Sequence, residues 1–203
     1  MRSSKKDLLI HILIHEENMK EKDHEGPLPS EIEDEGKEWL LRGLKKSRER
    51  LDDYLEMNEV LDPESMDKDE FSFPEDDLKA KDIDRRAVED GYLSGKWEFS
   101  IPPRKVDEVW REIKKLVSDY KIWGGQVTTK WIREKKDADD HIIRVYTPNY
   151  LDEEDVLRVG NLLKERCGIE EEILYKPDIY NVLQVYSEEG EWKKLPKEIR
   201  YRL

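Results

Sequence analysis

Charged, amide and hydroxyl side chains recur at every second position in three short segments of this chain. Lys96 and Glu98 alternate with Trp97 and Phe99; Gln126, Thr128 and Lys130 alternate with Val127 and Trp131; Arg144 and Tyr146 alternate with Ile143 and Val145. Successive side chains of an extended strand point to opposite faces, so each polar set shares one face. Gln184 and Tyr186 extend the same face if residues 182–186 are also extended. Lys96, Lys130 and Arg144 would supply charge-assisted hydrogen bonds to a phosphate or carboxylate. Gln126 and Thr128 would add neutral donors, and Tyr146 could stack on a base or a sugar. Trp123, beside the Gly124-Gly125 turn, is the one tryptophan expected in a loop at the sheet's rim, where it could serve as a single stacking platform. A nucleotide or RNA is therefore the candidate ligand. The alternative is an ordinary solvated face of a half-covered sheet, where such residues are normal, and Trp123 has the alternative of a packed turn residue. A concave face with converging side chains would favour the ligand.

Other constellations are weaker. His11 and His15 have the i,i+4 spacing of metal ligands if that stretch is helical, but no third ligand sits at a fixed position. No cysteine-rich metal motif, phosphate-binding glycine loop or Ser/His/Asp signature occurs. No catalytic residue, metal or cofactor is assigned, and the expectation is a binding protein rather than an enzyme.

These residues need elements to hold them. Lys96 to Ile101 reads as a strand ending at Pro102-Pro103. A helix is expected from about Arg104 to Asp119, with Val106, Val109, Trp110, Ile113, Leu116 and Val117 on one face. Strands follow over Gln126–Arg133 and His141–Thr147, closing a hairpin. A second helix runs from about Asp152 to Arg166, with Asp152 as N-cap and Gly168 where a left-handed C-terminal residue belongs. Two last strands are expected near Glu171–Lys176 and Val182–Tyr186. The order β-α-β-β-α-β-β predicts an α+β fold: a mainly antiparallel sheet, two helices on one face, the other face uncovered. Trp97, Phe99, Ile101, Val127, Trp131, Ile143, Val145, Leu183 and Val185 would form the core.

Upstream, residues 1–57 read as an N-terminal helical region, 58–79 as an acidic linker or arm, and 80–203 as the C-terminal α+β domain. The apolar run within residues 7–16 is a strand or a short helix. Ile32, Trp39, Leu40, Leu44, Leu51 and Leu55 recur at helical spacing over Glu31–Met57, interrupted by Gly36 and Gly43. Residues 58–79 hold nine acids, two bases and the breakers Pro63 and Pro74.

The charge is lopsided. Residues 1–90 carry 16 Lys+Arg against 28 Asp+Glu, whereas 91–203 carry 21 against 22, so nearly all of the net −13 lies in the first part. A pI near 5 argues against nucleic-acid binding only there. The acidic region suits a basic protein partner reached through residues 1–79. The last twelve residues, Trp192 to Leu203, carry five cations and one acid; they read as a nucleic-acid-contacting tail or as a final strand paired with the acidic region. The single cysteine, Cys167, allows no intrachain disulfide and fits a reducing, cytoplasmic setting. The apolar run is too short to span a bilayer, so no membrane is expected. Two glutamines amid abundant Lys and Glu suggest a heat-loving prokaryotic source.

Four strings carry a resemblance: Gly95-Lys96-Trp97; His141-Ile142-Ile143-Arg144-Val145-Tyr146-Thr147-Pro148; Asp152-Glu153-Glu154-Asp155-Val156; and Leu174-Tyr175-Lys176-Pro177-Asp178-Ile179-Tyr180. Over roughly residues 80–187 the chain resembles the basophilic leukaemia-expressed protein family, of uncharacterised function and found in archaea and eukaryotes. The resemblance implies a fold similar to the cap-binding translation initiation factor, a curved antiparallel sheet with helices behind it. A strict cap sandwich needs two loop tryptophans, and the sequence offers only Trp123. Family members are also labelled phosphothreonine lyases, by similarity to effector enzymes that eliminate phosphate from phosphothreonine. That chemistry uses a Lys-x-His strand motif and a base lysine two residues before a threonine. This chain reads Lys96-Trp97-Glu98 and Gln126-Val127-Thr128, so both proton-transfer positions differ. The three readings therefore stand in the order binding module, interaction protein, divergent lyase.

Overall fold

A computed structural model of the chain describes residues 26–43, 48–67, 78–186 and 199–203. The apolar run with His11 and His15, and residues 192–198 of the basic stretch, lie outside the described residues, as do the side chains of Gln184, Val185 and Tyr186.

Six strands make one sheet: β1 (Trp39–Arg42), β2 (Gly95–Ile101), β3 (Gly124–Thr128), β4 (His141–Thr147), β5 (Leu174–Pro177) and β6 (Tyr201–Arg202). Their order is β1-β3-β4-β2-β5-β6, every neighbouring pair is antiparallel, and the sheet is curved. Six helices accompany it: α1 (Arg48–Asn58), α2 (Leu78–Asp90), α3 (Pro103–Ser118), α4 (Lys130–Lys135), α5 (Glu153–Cys167) and α6 (Asp178–Tyr186).

The two long helices form as their sequence dictates. Pro103 occupies the first turn of α3, where its fixed φ fits and its missing N–H costs nothing. The helix buries Val106, Val109, Trp110, Ile113, Leu116 and Val117, the expected face. Asp152 caps α5 by accepting from the Asp155 N–H at 3.1 Å, and three acids follow in the first turn, where the helix dipole favours them. Gly168 ends it at φ 62. Both helices lie against the face bearing Trp97, Phe99, Ile101, Val127, Ile143, Val145 and Tyr175, all buried. Trp97 is the pivot of that layer: its indole N–H donates to the Val156 carbonyl at 2.9 Å. Gly160 lets α5 approach it, because a Cβ there would fall 2.6 Å from the indole.

Four sequence expectations need correction. The helix expected over Glu31–Met57 begins only at Arg48; Trp39–Arg42 is a strand paired with β3. Gly36 (φ 90) and Gly43 (φ 82) both adopt left-handed backbone, which breaks a helix on either side of that strand. Ile32 and Leu40 consequently join the main core. The strand expected over Gln126–Arg133 stops at Thr128, because Thr129 caps α4: its hydroxyl accepts from the Ile132 N–H at 3.4 Å. Trp131 therefore leaves the predicted core and sits half-buried under the Lys135 ammonium, 4.4 Å from its ring centroid. The strand expected at Val182–Tyr186 is helix α6. Pro177 closes β5, and Asp178 opens a segment whose Ile179, Tyr180 and Leu183 contact the core at helical spacing. The sixth strand comes instead from the C-terminus: Tyr201 pairs with Tyr175, and Arg202 with Leu174. Finally, α4 interrupts the hairpin expected between residues 126 and 147.

The described end of the C-terminus is a final strand, but only one of its two cations reaches the acidic first 90 residues: Arg202 pairs instead with Glu172 at 2.9 Å. Arg200 forms an ion pair at 2.9 Å with Asp84 of α2, and Asp84 also accepts from the Tyr150 hydroxyl at 2.7 Å. On the other flank, α1 is tied to α5 through Tyr54, whose buried hydroxyl donates to Asp155 at 2.9 Å and accepts from Arg158. Among the described residues, no helix is long and apolar enough to cross a membrane.

Candidate functional site

The face opposite Trp97 is laid out by strand register. One cross-strand row runs Leu41, Gln126, Arg144, Glu98, Leu174 and Arg202 from β1 to β6. The adjacent row runs Gly124, Tyr146, Lys96 and Lys176. On the other side, Trp39 of β1 pairs with Thr128. Each residue is brought here by period-2 alternation against a core-facing neighbour.

Ion pairs knit the rows together. The Glu98 carboxylate accepts from Arg144 Nε at 2.7 Å through one oxygen and from Lys176 Nζ at 2.8 Å through the other. Burial alone would push this carboxyl up, but the hydrogen bonds from Lys176 and Arg144 outweigh it and hold Glu98 below its ordinary range. Lys96 is 5% exposed and bonds to Asp178 at the start of α6. Asp178 accepts a second bond from the Ser94 hydroxyl at 2.7 Å. The Arg144 guanidinium stands 4.6 Å over the Trp39 ring, and the Lys96 ammonium lies 5.9 Å from the Tyr146 ring centroid. Burial raises the Tyr146 phenol, so it stays protonated at neutral pH.

Five of the seven sequence-predicted residues reach this face. Lys96, Gln126, Arg144 and Tyr146 are gathered on it. Thr128 is there too, but its hydroxyl is occupied, accepting from the Ile142 backbone N–H at 2.9 Å. Lys130 does not join them: it begins α4 and pairs with Glu33. Trp123 does not either. It packs with Leu51 and Tyr120 against Tyr54, Leu55 and Val60, as a turn residue wedged under α1.

Three contributors escaped the sequence reading. Trp39 was hidden by the helical spacing of its neighbours. Lys176 was legible: with Tyr175 in the core, alternation must turn Lys176 to the other face. Asp178 has no signal in periodicity, since only tertiary packing aims the first residue of α6 at Lys96.

Chemically, the part of the face around Glu98 holds three cations, Lys96, Arg144 and Lys176, against two carboxylates, while Arg202 at the end of the row pairs with Glu172. Among the described residues, Arg144 spends only Nε on a hydrogen bond, leaving its terminal N–H groups available, while its guanidinium rests over the Trp39 ring. Lys176 likewise spends one donor on Glu98 and keeps others. Such a set can bind an oxyanion from its open side. It lacks a proton donor at Glu98, whose carboxyl is held ionised.

The family model for Basophilic leukemia-expressed protein Bles03 matches residues 3–184, further toward the N-terminus than the motifs at 80–187 reach. Among solved structures, schistosome eIF4E complexed with m7GpppG and 4E-BP is similar at 17% identity, covering 82% of this chain and 94% of that one, with a TM-score of 0.39. C. elegans eIF4E-3, in complex with the 4E-binding protein Mextli and a cap analog, is similar at 13% identity, covering 87% and 98%, with a TM-score of 0.41. Ascaris suum eIF4E-3 with m7G cap is 15% identical over 87% and 97%, with a TM-score of 0.40. With a match that takes in five of the six helices, most of the sixth and all but the last strand of the sheet, the chain belongs to the Basophilic leukemia-expressed protein Bles03 family.

Proposed function

We propose that this protein is a binding module that takes a phosphate-bearing ligand, a nucleotide or RNA, on the sheet face opposite Trp97. The observation that carries this reading is the Arg144 fork: stacked on Trp39, anchored at Nε by Glu98, and with its terminal donors turned to no partner among the described residues. Lys176 beside it and Gln126 across the strand pair extend the donor set. An aromatic ring next to a fixed guanidinium suits a ligand with both a base and a phosphate.

The test is titration of the full-length protein with a nucleoside triphosphate and with a short single-stranded RNA, read by calorimetry and tryptophan fluorescence. Binding should weaken steeply with salt, be lost in Arg144→Glu, and persist in Lys130→Glu, whose side chain lies away from the face. Binding indifferent to Arg144→Glu would remove this face as the site.

A second reading rests on the charge asymmetry: the acidic region within residues 1–79 engages a basic protein. Because β1 and α1 belong to the folded body, truncation at residue 80 would strip the sheet's edge. Charge-neutralising substitutions within residues 58–67 test the idea without that damage, and loss of copurifying basic partners is the expected result.

A further inference from the structure

The seat that a phosphate would take on this face already holds an anion. Glu98 presents one carboxylate oxygen to Arg144 at 2.7 Å and the other to Lys176 at 2.8 Å, so the two oxygens of one carboxylate on β2 bridge two cations from the strands on either side of it, β4 and β5. A phosphate group binding the same pair would have the same outline. The bridge is also open to exchange: the Arg144 and Lys176 side chains are 29% and 28% exposed, and Glu98 is 20% exposed. The neighbouring pair is different. Lys96 is buried against Asp178, which is further held by Ser94, so that pair is a fixed part of the wall.

We infer that Glu98 is an internal competitor for the ligand's phosphate, and that the ligand class is one with a terminal phosphate rather than an internal phosphodiester. This rests on the reading of the face given above. Glu98 is tethered to the strand that carries it, so it competes at a high effective concentration without any cost of association. A phosphodiester brings a single charge and would replace the carboxylate charge for charge. A terminal phosphate carries about −1.5 to −2 at pH 7 and offers three strong acceptor oxygens. Against three cations, of which Lys96 is already matched by Asp178, only the more highly charged group gains by displacing Glu98. A nucleoside di- or triphosphate and the 5′-phosphorylated end of an RNA both meet this requirement.

The experiment uses the full chain, wild type and Glu98→Gln, which keeps the shape of the side chain and its acceptor oxygen. Each is titrated with ATP, with a 5′-triphosphorylated RNA oligonucleotide and with the same oligonucleotide ending in a 5′-hydroxyl. Glu98→Gln should tighten binding of the phosphorylated probes by about tenfold, the equivalent of one modest ion pair. Wild type should prefer the 5′-triphosphate oligonucleotide to its 5′-hydroxyl counterpart by at least about tenfold. Tighter binding of ATP than of the phosphorylated RNA would assign the site to free nucleotides, and the reverse to RNA ends. Equal or weaker binding by Glu98→Gln, while Arg144→Glu still abolishes binding, overturns the competitor role and leaves the site standing. Equal affinity for both oligonucleotides overturns the terminal-phosphate class. Absence of binding to any probe in either protein removes site and competitor together. Lys176→Met is the second variant: it should weaken binding of phosphorylated probes in both backgrounds, and unchanged affinity would show that the shared seat is not where they bind.

Discussion

Trp39 and Arg144 reach each other across an intervening strand: one lies on β1 and the other on β4, and the guanidinium stands 4.6 Å over the indole. The contact ties the sheet's edge to its centre on the proposed binding face. Trp39→Ala removes both the platform and the restraint on Arg144. Nucleotide affinity should fall by roughly tenfold to a hundredfold, in line with about 1–3 kcal/mol per stacked base. Trp39→Phe, which keeps a ring, should recover most of it in the same titration.

The buried Lys96–Asp178 pair gives an asymmetric prediction. Lys96 has almost no access to water, and Asp178 is its carboxylate partner. Asp178→Asn would strand a buried ammonium and should cost about 3 kcal/mol or more in urea unfolding. Lys96→Met leaves Asp178 with the Ser94 hydroxyl and greater contact with water, so its cost should be clearly smaller. Equal losses would mean that the pair is solvated.

Packing between α5 and the sheet is tested at Gly160. Any Cβ there meets the Trp97 indole at 2.6 Å and the Leu203 side chain at 2.5 Å. Leu203 can turn aside, but Trp97 is fully buried and held by its bond to Val156. Gly160→Ala should therefore destabilise by about 1–3 kcal/mol, seen as a lower thermal midpoint with binding-face chemistry unchanged.

The pH dependence of binding has a definite sign. A terminal phosphate loses its second charge near its pKa of about 6, whereas Glu98, held below its ordinary 4.5, keeps its charge through that range. Lowering the pH from about 7.5 to about 5.5, across that phosphate pKa, weakens the ligand and not its competitor, so affinity should fall. Stability behaves differently. A carboxyl whose folded pKa is depressed contributes stability above its unfolded value and loses it as pH falls through the folded one. The Glu98 contribution is therefore intact above about pH 4.5 and fades only below it. Urea unfolding of wild type and Glu98→Gln across acidic pH measures it, and their difference should shrink as the pH drops.

Much of this fold can be read from residues alone, and the failures have physical causes. The helix over 103–118 and the one over 153–167 carry one-sided apolar stripes and proper end signals, so local pattern and tertiary packing agree. The strand at β1 was masked because Trp39, Leu40 and Leu44 also fit helical spacing; its partner β3 lies far away in sequence, and pairing with it decides the outcome. Thr128-Thr129 hides a change from strand to helix inside an alternating pattern, so alternation alone places Lys130 and Trp131 in the wrong element. On the proposed binding face, alternation places Lys96, Gln126, Arg144 and Tyr146. It could not reveal that Glu98 and Asp178 would pair with three of the cations, because charge pairing depends on register between strands and on where α6 begins.

The most direct measurement is a nuclear magnetic resonance titration of the full-length protein with ATP. The account predicts shifts centred on the Trp39 indole N–H, the Gln126 amide and the Arg144 and Lys176 side chains, with little change along α3 and α5. Shifts confined to the α3–α5 surface, or none at saturating ligand, would contradict it.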